Sequence, residues 1–332
     1  MKFKTYYLAF KSPLHIGDYK PESYEISENF LRSDTIIAAI YAAWAKMGHP
    51  DWIPDDGVPP FTISSAFPYI EKKGNKYTHF FPRPKLRFNQ KENNNQDSTV
   101  RKKIKKVKWL DLDYFEMVIN YEQIVIFGKE NSHLQAEFLS STKDIEKHIY
   151  KDLLQRVKIS RNVEKQEDSD PFQMERIYFE KAGLFFMALG PDFEKLEIAL
   201  EFLQYEGFGT DRSTGNGYFE LKQGEISIDT PENSELSTNL SLYTPESKEV
   251  LIKNINSSDS AFETIKRGGW ITTPGYQSLT KKSIRMFTEG GIWKQQNEIA
   301  GKANIDLTPG TIPIDHKIWR CGRSIFIPVK TN

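Results

Sequence analysis

Residues 206–220 read EGFGTDRSTGNGYFE, four glycines within fifteen positions. Gly207, Gly209, Gly215 and Gly217 bracket Asp211, Arg212, Ser213 and Thr214. Glycine takes positive φ without steric cost and lets backbone approach a ligand closely, so the loop can turn successive N–H groups toward an anion. Arg212 adds a bidentate phosphate donor, and Ser213 and Thr214 add hydroxyls. No Gly-Lys-Ser/Thr closes the loop, and Arg212 stands where a dinucleotide fingerprint has its third glycine, so neither standard nucleotide loop applies. The competing reading is a long helix-to-strand connection whose glycines serve turns.

The preceding DFEKLEIALEFLQYEG sets Phe193, Leu196, Leu200 and Leu203 on one helical face that ends at Gly207. The following YFELKQG reads as a strand. Upstream, KFKTYYLAF alternates like a strand, and SDTIIAAIYAAWAKMG reads as a helix capped by Ser33 or Asp34 and stopped at Gly48. FTISSAFPYI and KYTHFFPRPKL form a strand pair about the turn at Gly74-Asn75. A hairpin is expected over about 155–180, with a polar tip around 164–171, continuing into an apolar strand. Stripped of insertions, the order is β-α-β-β-α-β, that of a ferredoxin-like fold. This gives an α+β chain with a first unit over 1–226 that holds a polar and basic insertion at about 88–108. A linker rich in Pro, Ser, Glu and Asn near 229–238 leads to a second unit over 238–332, read as a degenerate copy.

The 332 residues carry no formal net charge, so a nucleic-acid site must be a local patch. RKKIKKVK supplies one, with Arg101, Lys102, Lys103, Lys105, Lys106 and Lys108. Their alternation with Ile104, Val107 and Trp109 suggests a half-buried edge strand with a cationic face; a solvated charge run is the competing view. On the hairpin, Lys158, Arg161 and Arg176 are basic, while Phe172 and Met174 follow the tip and could wedge between bases or pack back on the body.

Catalytic constellations are thin. None of the six histidines has metal-ligand spacing, and Asp111 and Asp113 in DLD are expected to cap a short helix, so no metal or cofactor is expected. His15, in SPLHIG, is the one candidate base for ribonuclease chemistry, but no partner for it is identifiable. The single cysteine, Cys321, excludes an intrachain disulfide framework. No apolar run reaches the roughly 18 residues of a transmembrane span, and the N-terminus lacks a signal-peptide pattern, so a cytoplasmic location without membrane contact is expected.

The glycine loop in its helix-to-strand setting resembles the signature of the RAMP superfamily of CRISPR RNA-binding proteins. SPLHIG, FLRSDTIIAAI, SSAFPYI, FFPRPKL, KKIKKVKWL, RVKISRN and DHKIWRCGRSIFIPV, in that order over nearly the whole chain, resemble the fourth-subunit family of type III-A (Csm) effector complexes. The resemblance implies two tandem ferredoxin-like (RRM-like) RAMP domains, the first carrying the glycine-rich loop and a thumb hairpin. It implies a non-catalytic subunit that grips the 5′ tag of the guide crRNA, lies near target RNA beside the tag, and bridges the large Palm-domain subunit to the backbone subunits. Residue by residue, it places Gly207, Gly209, Arg212, Ser213, Thr214, Gly215 and Gly217 on the glycine loop and His15 and Gly17 on the first-strand loop. Ser33, Asp34 and Thr35 fall at a helix N-terminus facing RNA, and Arg161, Phe172 and Met174 fall on the thumb. Trp319 and Cys321 depart from the tyrosine more usual in that family. Asp18 lies where target-cleaving backbone subunits carry an aspartate, but its surroundings do not match theirs. The alternatives are the equivalent type III-B subunit, a metal-independent guide-processing endoribonuclease using His15, and, more remotely, a small-molecule phosphate-binding enzyme.

Overall fold

The computed structural model describes residues 1–17, 25–74, 76–89, 98–124, 134–158, 170–310 and 313–331. Its main elements, in chain order, begin with β1 (Lys2–Phe10), α1 (Ser33–Lys46), β2 (Phe67–Lys72), β3 (Lys76–Pro82), α2 (Ser98–Lys106), β4 (Trp109–Asp111) and α3 (Leu112–Ile119). Then come β5 (Ile149–Lys158), β6 (Asp170–Phe179), β7 (Ala182–Leu189), α4 (Glu194–Glu206) and β8 (Phe219–Ser227). The last part holds β9 (Leu236–Asn239), α5 (Lys248–Asn254), β10 (Thr264–Arg267), β11 (Ile284–Phe287) and β12 (Ser324–Val329). Among the described residues no helix is long and apolar enough to cross a membrane.

A large mixed sheet runs β8-β1-β7-β2-β3-β4 and on to a short strand at Phe138–Leu139. Its neighbours pair antiparallel, for example Tyr6↔Phe186 and Phe67↔Phe185, until β4 meets Phe138–Leu139 in parallel. The period-2 alternation of KFKTYYLAF builds a core on each face. Phe3 and Tyr7 join Phe67, Phe81, Phe115 and Phe185 on one side. Tyr6, Leu8 and Phe10 meet Ile36, Ile40 and Trp44 of α1 and Leu200 of α4 on the other. Each such fully buried large side chain contributes about 1.5–3 kcal/mol.

The second half adds a four-stranded antiparallel sheet in which β9 lies between Ile292–Trp293 and β12. It shares a core with the first half, since Ile325, Ile327 and Val329 pack with Val118 and Ile119. Helix α5, capped by the Ser247 hydroxyl accepting from Val250 N at 3.3 Å, has no counterpart in the sequence reading.

Three local expectations are corrected. The basic run is a helix, not an edge strand: Ile104 and Val107, three residues apart, are buried, while Lys102, Lys103, Lys105, Lys106 and Lys108 stay exposed. Apolar residues recurring at every third position turn one helical face inward, whereas a strand needs every second. The residue capping α1 is Arg32; Ser33 and Asp34 lie inside its first turn. The hairpin arms begin earlier than expected, over Ile149–Lys158 and Asp170–Phe179. Its tip and Arg161 lie outside the described residues, as do Asp18 and much of the polar insertion. The side chain of Arg101 is likewise not described.

Candidate nucleic-acid interface

The glycine loop, the loop after β1 and the hairpin arm β6 converge. Leu14 pairs with Ile177 of β6 by two backbone hydrogen bonds, and His15 Nδ1 donates to the Glu175 carbonyl at 2.7 Å. Across the same segment, Thr210 N donates to His15 O at 3.0 Å and Gly217 N to Pro13 O at 2.8 Å. The residues predicted in two separate loops are therefore one unit, with Gly17 near Thr210.

The glycines answer largely to this packing. Gly207, Gly209 and Gly217 have φ of 77°, 83° and 79°. A Cβ on Gly207 would stand 2.8 Å from Asn216 O, one on Gly209 would collide with His15 O, and one on Gly217 with Phe208 O. Gly215 differs: its φ is 92°, but among the described residues nothing lies within 4 Å of its Cβ position. The loop N–H groups of Phe208, Thr210, Thr214, Gly215 and Gly217 donate within the protein. Anion capacity thus rests mainly on side chains, with Ser213 and Thr214 exposed and Arg212 about 38% exposed, its guanidinium 3.9 Å from Glu206.

A contact that no motif announces ties the hairpin to the loop. Arg156 of β5 donates to Asp211 at 2.6 Å and to the Thr214 hydroxyl at 3.3 Å. Asp211 is a non-glycine residue at φ 55°, and its carboxylate draws the guanidinium down onto the turn. Two shielded donors nearby, Arg176 Nε and Asn216 Nδ2, meet no acceptor among the described residues.

His15 is buried, and burial lowers its pKa despite the Glu175 carbonyl bond and the Asp211 charge. A ring so enclosed and so bonded holds the loop against β6; it does not present a base to a substrate. Met174 is fully buried and is corrected from wedge to core, because β6 turns it inward; Phe172 is half-buried opposite Arg156. Asp111 caps α3, accepting from Tyr114 N at 3.1 Å, and also accepts from the Ser140 hydroxyl and Ser141 N, both at 2.8 Å.

The N-terminus of α1 does not open to an anion. Asp34 is fully buried between Arg267, whose Nε lies 2.9 Å away, and Arg320. Burial alone would raise its pKa, but the two guanidinium groups outweigh it and hold the carboxyl well below the usual range. The Ser33 hydroxyl accepts from Leu242 N at 3.1 Å, and that of Thr35 from Arg267 at 2.9 Å. Ser33, Asp34 and Thr35 therefore join the two halves of the chain; in this arrangement the second half covers the surface expected to face phosphate. Beside them Arg32 spans Glu289, at 2.6 Å, and Glu28, at 2.9 Å.

A family model described as the CRISPR Csm4 C-terminal domain matches residues 232–329. The chain is similar to the CRISPR system Cms protein Csm4 of Thermococcus onnurineus, 28% identical over 315 residues and covering 90% of this chain and 91% of that protein. It is also similar to the protein of the same name from Methanocaldococcus jannaschii, 27% identical over 310 residues, with 83% of this chain and 78% of the relative covered. Among solved structures it matches a chain of the Csm1-Csm4 cassette in complex with cA4 at a TM-score of 0.60 and 20% identity, over 100% of this chain and 99% of that one. A chain of the Csm3-Csm4 subcomplex in the type III-A CRISPR-Cas interference complex matches at 0.59 and 19%, over 100% of both. At these identities the structural likeness speaks for the fold.

Proposed function

The chain belongs to the Csm4 family of CRISPR proteins, and from that premise we propose that it is the guide-gripping subunit of a type III-A (Csm) interference complex. It binds the 5′ repeat-derived tag of the crRNA and acts without catalysing a reaction, in a cytoplasmic ribonucleoprotein. The observation that carries the reading is the docking of the glycine loop against the hairpin through His15 and Arg156, which leaves Arg212 and Ser213 at the surface beside that seam. Side-chain donors on a rigid loop suit capture of RNA backbone, which fixes register independently of sequence.

Two further parts of the reading have support of their own. The antiparallel order β8-β1-β7-β2 fits the 4-1-3-2 arrangement expected of a ferredoxin-like unit, and the β5–β6 hairpin before the third strand stands where its thumb would be. The solved Csm1-Csm4 and Csm3-Csm4 assemblies support a bridging place between the large Palm-domain subunit and a backbone subunit. Phe172, near the hairpin tip, would then lie toward target RNA beside the tag.

Co-purification with the products of neighbouring genes, followed by sequencing of the bound RNA, tests this. Guides sharing one repeat-derived 5′ end are expected; guides with no common end would refute tag binding. Arg212→Ala is expected to weaken guide affinity about tenfold, the scale of one charge-assisted hydrogen bond. Cleavage of isolated repeat RNA by the purified chain, lost in His15→Ala, would move the assignment to an endoribonuclease.

A further inference from the structure

The second half carries an aromatic and cationic ribbon that the tag-binding reading does not use. Strands β10 and β11 pair from Thr264↔Phe287 to Arg267↔Ile284. The ribbon continues past them, with Trp270 bridging Thr280 and Lys281 N donating to Gly269 O at 3.1 Å. Between these two registers, Gly268 and Gly269 face three residues, 281–283, on the other strand. The extra residue makes a bulge, a device that re-aims a side chain. Lys282 N leaves the ladder for Leu307 O at 3.0 Å. The Lys281 stem crosses over Gly269, with its Cε 3.8 Å from where a Cβ would be.

This path carries the Lys281 ammonium toward Arg320 and Arg267, whose shared carboxylate is Asp34. Arg320 also donates to Gly268 O at 3.0 Å, locking the ribbon to the cluster. Two guanidinium groups and the Lys281 amine thus gather around one anion. Burial, with Arg320 beside it, pushes the Lys281 ammonium down to about 7, and an incoming phosphate would relieve that crowding. Lys282 and Arg285 continue the positive charge along the exposed ribbon. Next to Lys281, Trp270 is 45% exposed, a large indole left in water on a charged surface.

We propose that this ribbon is a second contact for single-stranded RNA, in which Trp270 stacks on a base and Lys281, aided by Lys282 and Arg285, receives the adjacent phosphate. The inference rests on the RNA-binding reading above but concerns a different surface. A stacking ring beside a cationic track is the arrangement that holds single strands without sequence preference, whereas a protein partner has no need of clustered cations backed by a buried arginine pair.

The test is fluorescence anisotropy of the full chain with fluorescein-labelled oligouridylate and oligoadenylate, comparing Trp270→Ala, Trp270→Phe, Lys281→Met and Arg212→Ala. Trp270→Ala is expected to weaken both oligonucleotides about tenfold, Trp270→Phe to recover most of that loss, and Lys281→Met to lower the salt slope by about 0.7. An unchanged thermal melt of Trp270→Ala separates lost contact from lost fold. If Trp270→Ala and Lys281→Met bind like wild type while Arg212→Ala is weaker, the ribbon inference fails and the tag-binding reading survives. The reverse pattern supports the ribbon and removes Arg212 from the interface. A wild-type chain that binds neither oligonucleotide overturns both. Normal RNA binding by the ribbon variants with loss of a co-purifying subunit would make the ribbon a protein-docking face and refute the proposal.

Discussion

Asp34→Asn removes one charge and leaves two guanidinium groups facing each other in the interior. Asp34, Arg267 and Arg320 are 1%, 9% and 4% exposed, and Arg267 grips both carboxylate oxygens, at 2.9 and 3.1 Å. Breaking a buried pair by removing one partner costs about 3–5 kcal/mol, because the survivor keeps its desolvation penalty. The exposed pair Lys2–Glu225, at 2.7 Å with both side chains more than 60% exposed, is the contrasting case, where removal costs about 0–1 kcal/mol. The expected result is a loss of about 3–5 kcal/mol for Asp34→Asn in urea unfolding at neutral pH, or roughly 4–7 °C in Tm, against almost none for Glu225→Gln. The pH dependence supplies a second check. The folded-state pKa of Asp34 is depressed, so its contribution is fully present above the unfolded value of about 3.9 and is lost as pH falls through the folded one. The gap between wild type and Asp34→Asn should therefore narrow below about pH 4, since only the wild type titrates there. A loss below about 1 kcal/mol at pH 7, no larger than that of an exposed pair, or a gap that stays constant into acid, would refute the cluster as a stabilising joint.

Two further perturbations separate packing from chemistry. Gly217→Ala forces a methyl into the Phe208 carbonyl and should abolish or severely weaken folding, whereas Gly215→Ala, with open space around it, should lose only about 1–2 kcal/mol from its positive φ; paired thermal melts read the difference. His79, bonded to the Tyr7 hydroxyl at 2.9 Å, is pushed by burial down to about 4. The unfolded chain takes up this proton below about pH 6.5, so stability should decline from there toward pH 4; His79→Gln should flatten that limb by up to about 3 kcal/mol in pH-dependent denaturation.

Legibility followed periodicity. The alternation of β1, the capping and stop signals of SDTIIAAIYAAWAKMG, and the Phe193–Leu203 stripe each named an element, and with them the α+β order of the first half; the stripe also named the buried face of α4. The basic run was misread because lysines between apolar residues look alternating at short range; only the burial of Ile104 and Val107 reveals a turn of helix. Short strands such as Leu236–Asn239, set by pairing with distant β12, leave little local signal. At the site, glycines and SPLHIG marked the right loops, but the bond from Arg156 to Asp211 spans 55 positions and has no motif. The role of Asp34 was inverted for the same reason: its partners, Arg267 and Arg320, lie over 200 residues away.

The charge balance at the glycine loop bears on how the proposed site would hold RNA. Asp211 is matched by Arg156, and Glu206 stands near Arg212 while also pairing with Lys46, so little net positive charge remains there. Three of the four loop glycines serve the protein's own packing, and several N–H groups are already used, so the loop can orient a backbone but offers limited attraction of its own. Since each neutralised phosphate contributes about 0.7 to the salt slope for a single strand, this loop alone accounts for a slope near that of one contact. A measured slope several times larger requires cations elsewhere. Among the described residues, the exposed lysines of α2 and the ribbon with Lys282 and Arg285 are two surfaces that could supply them, and substituting each in turn measures its share of the slope.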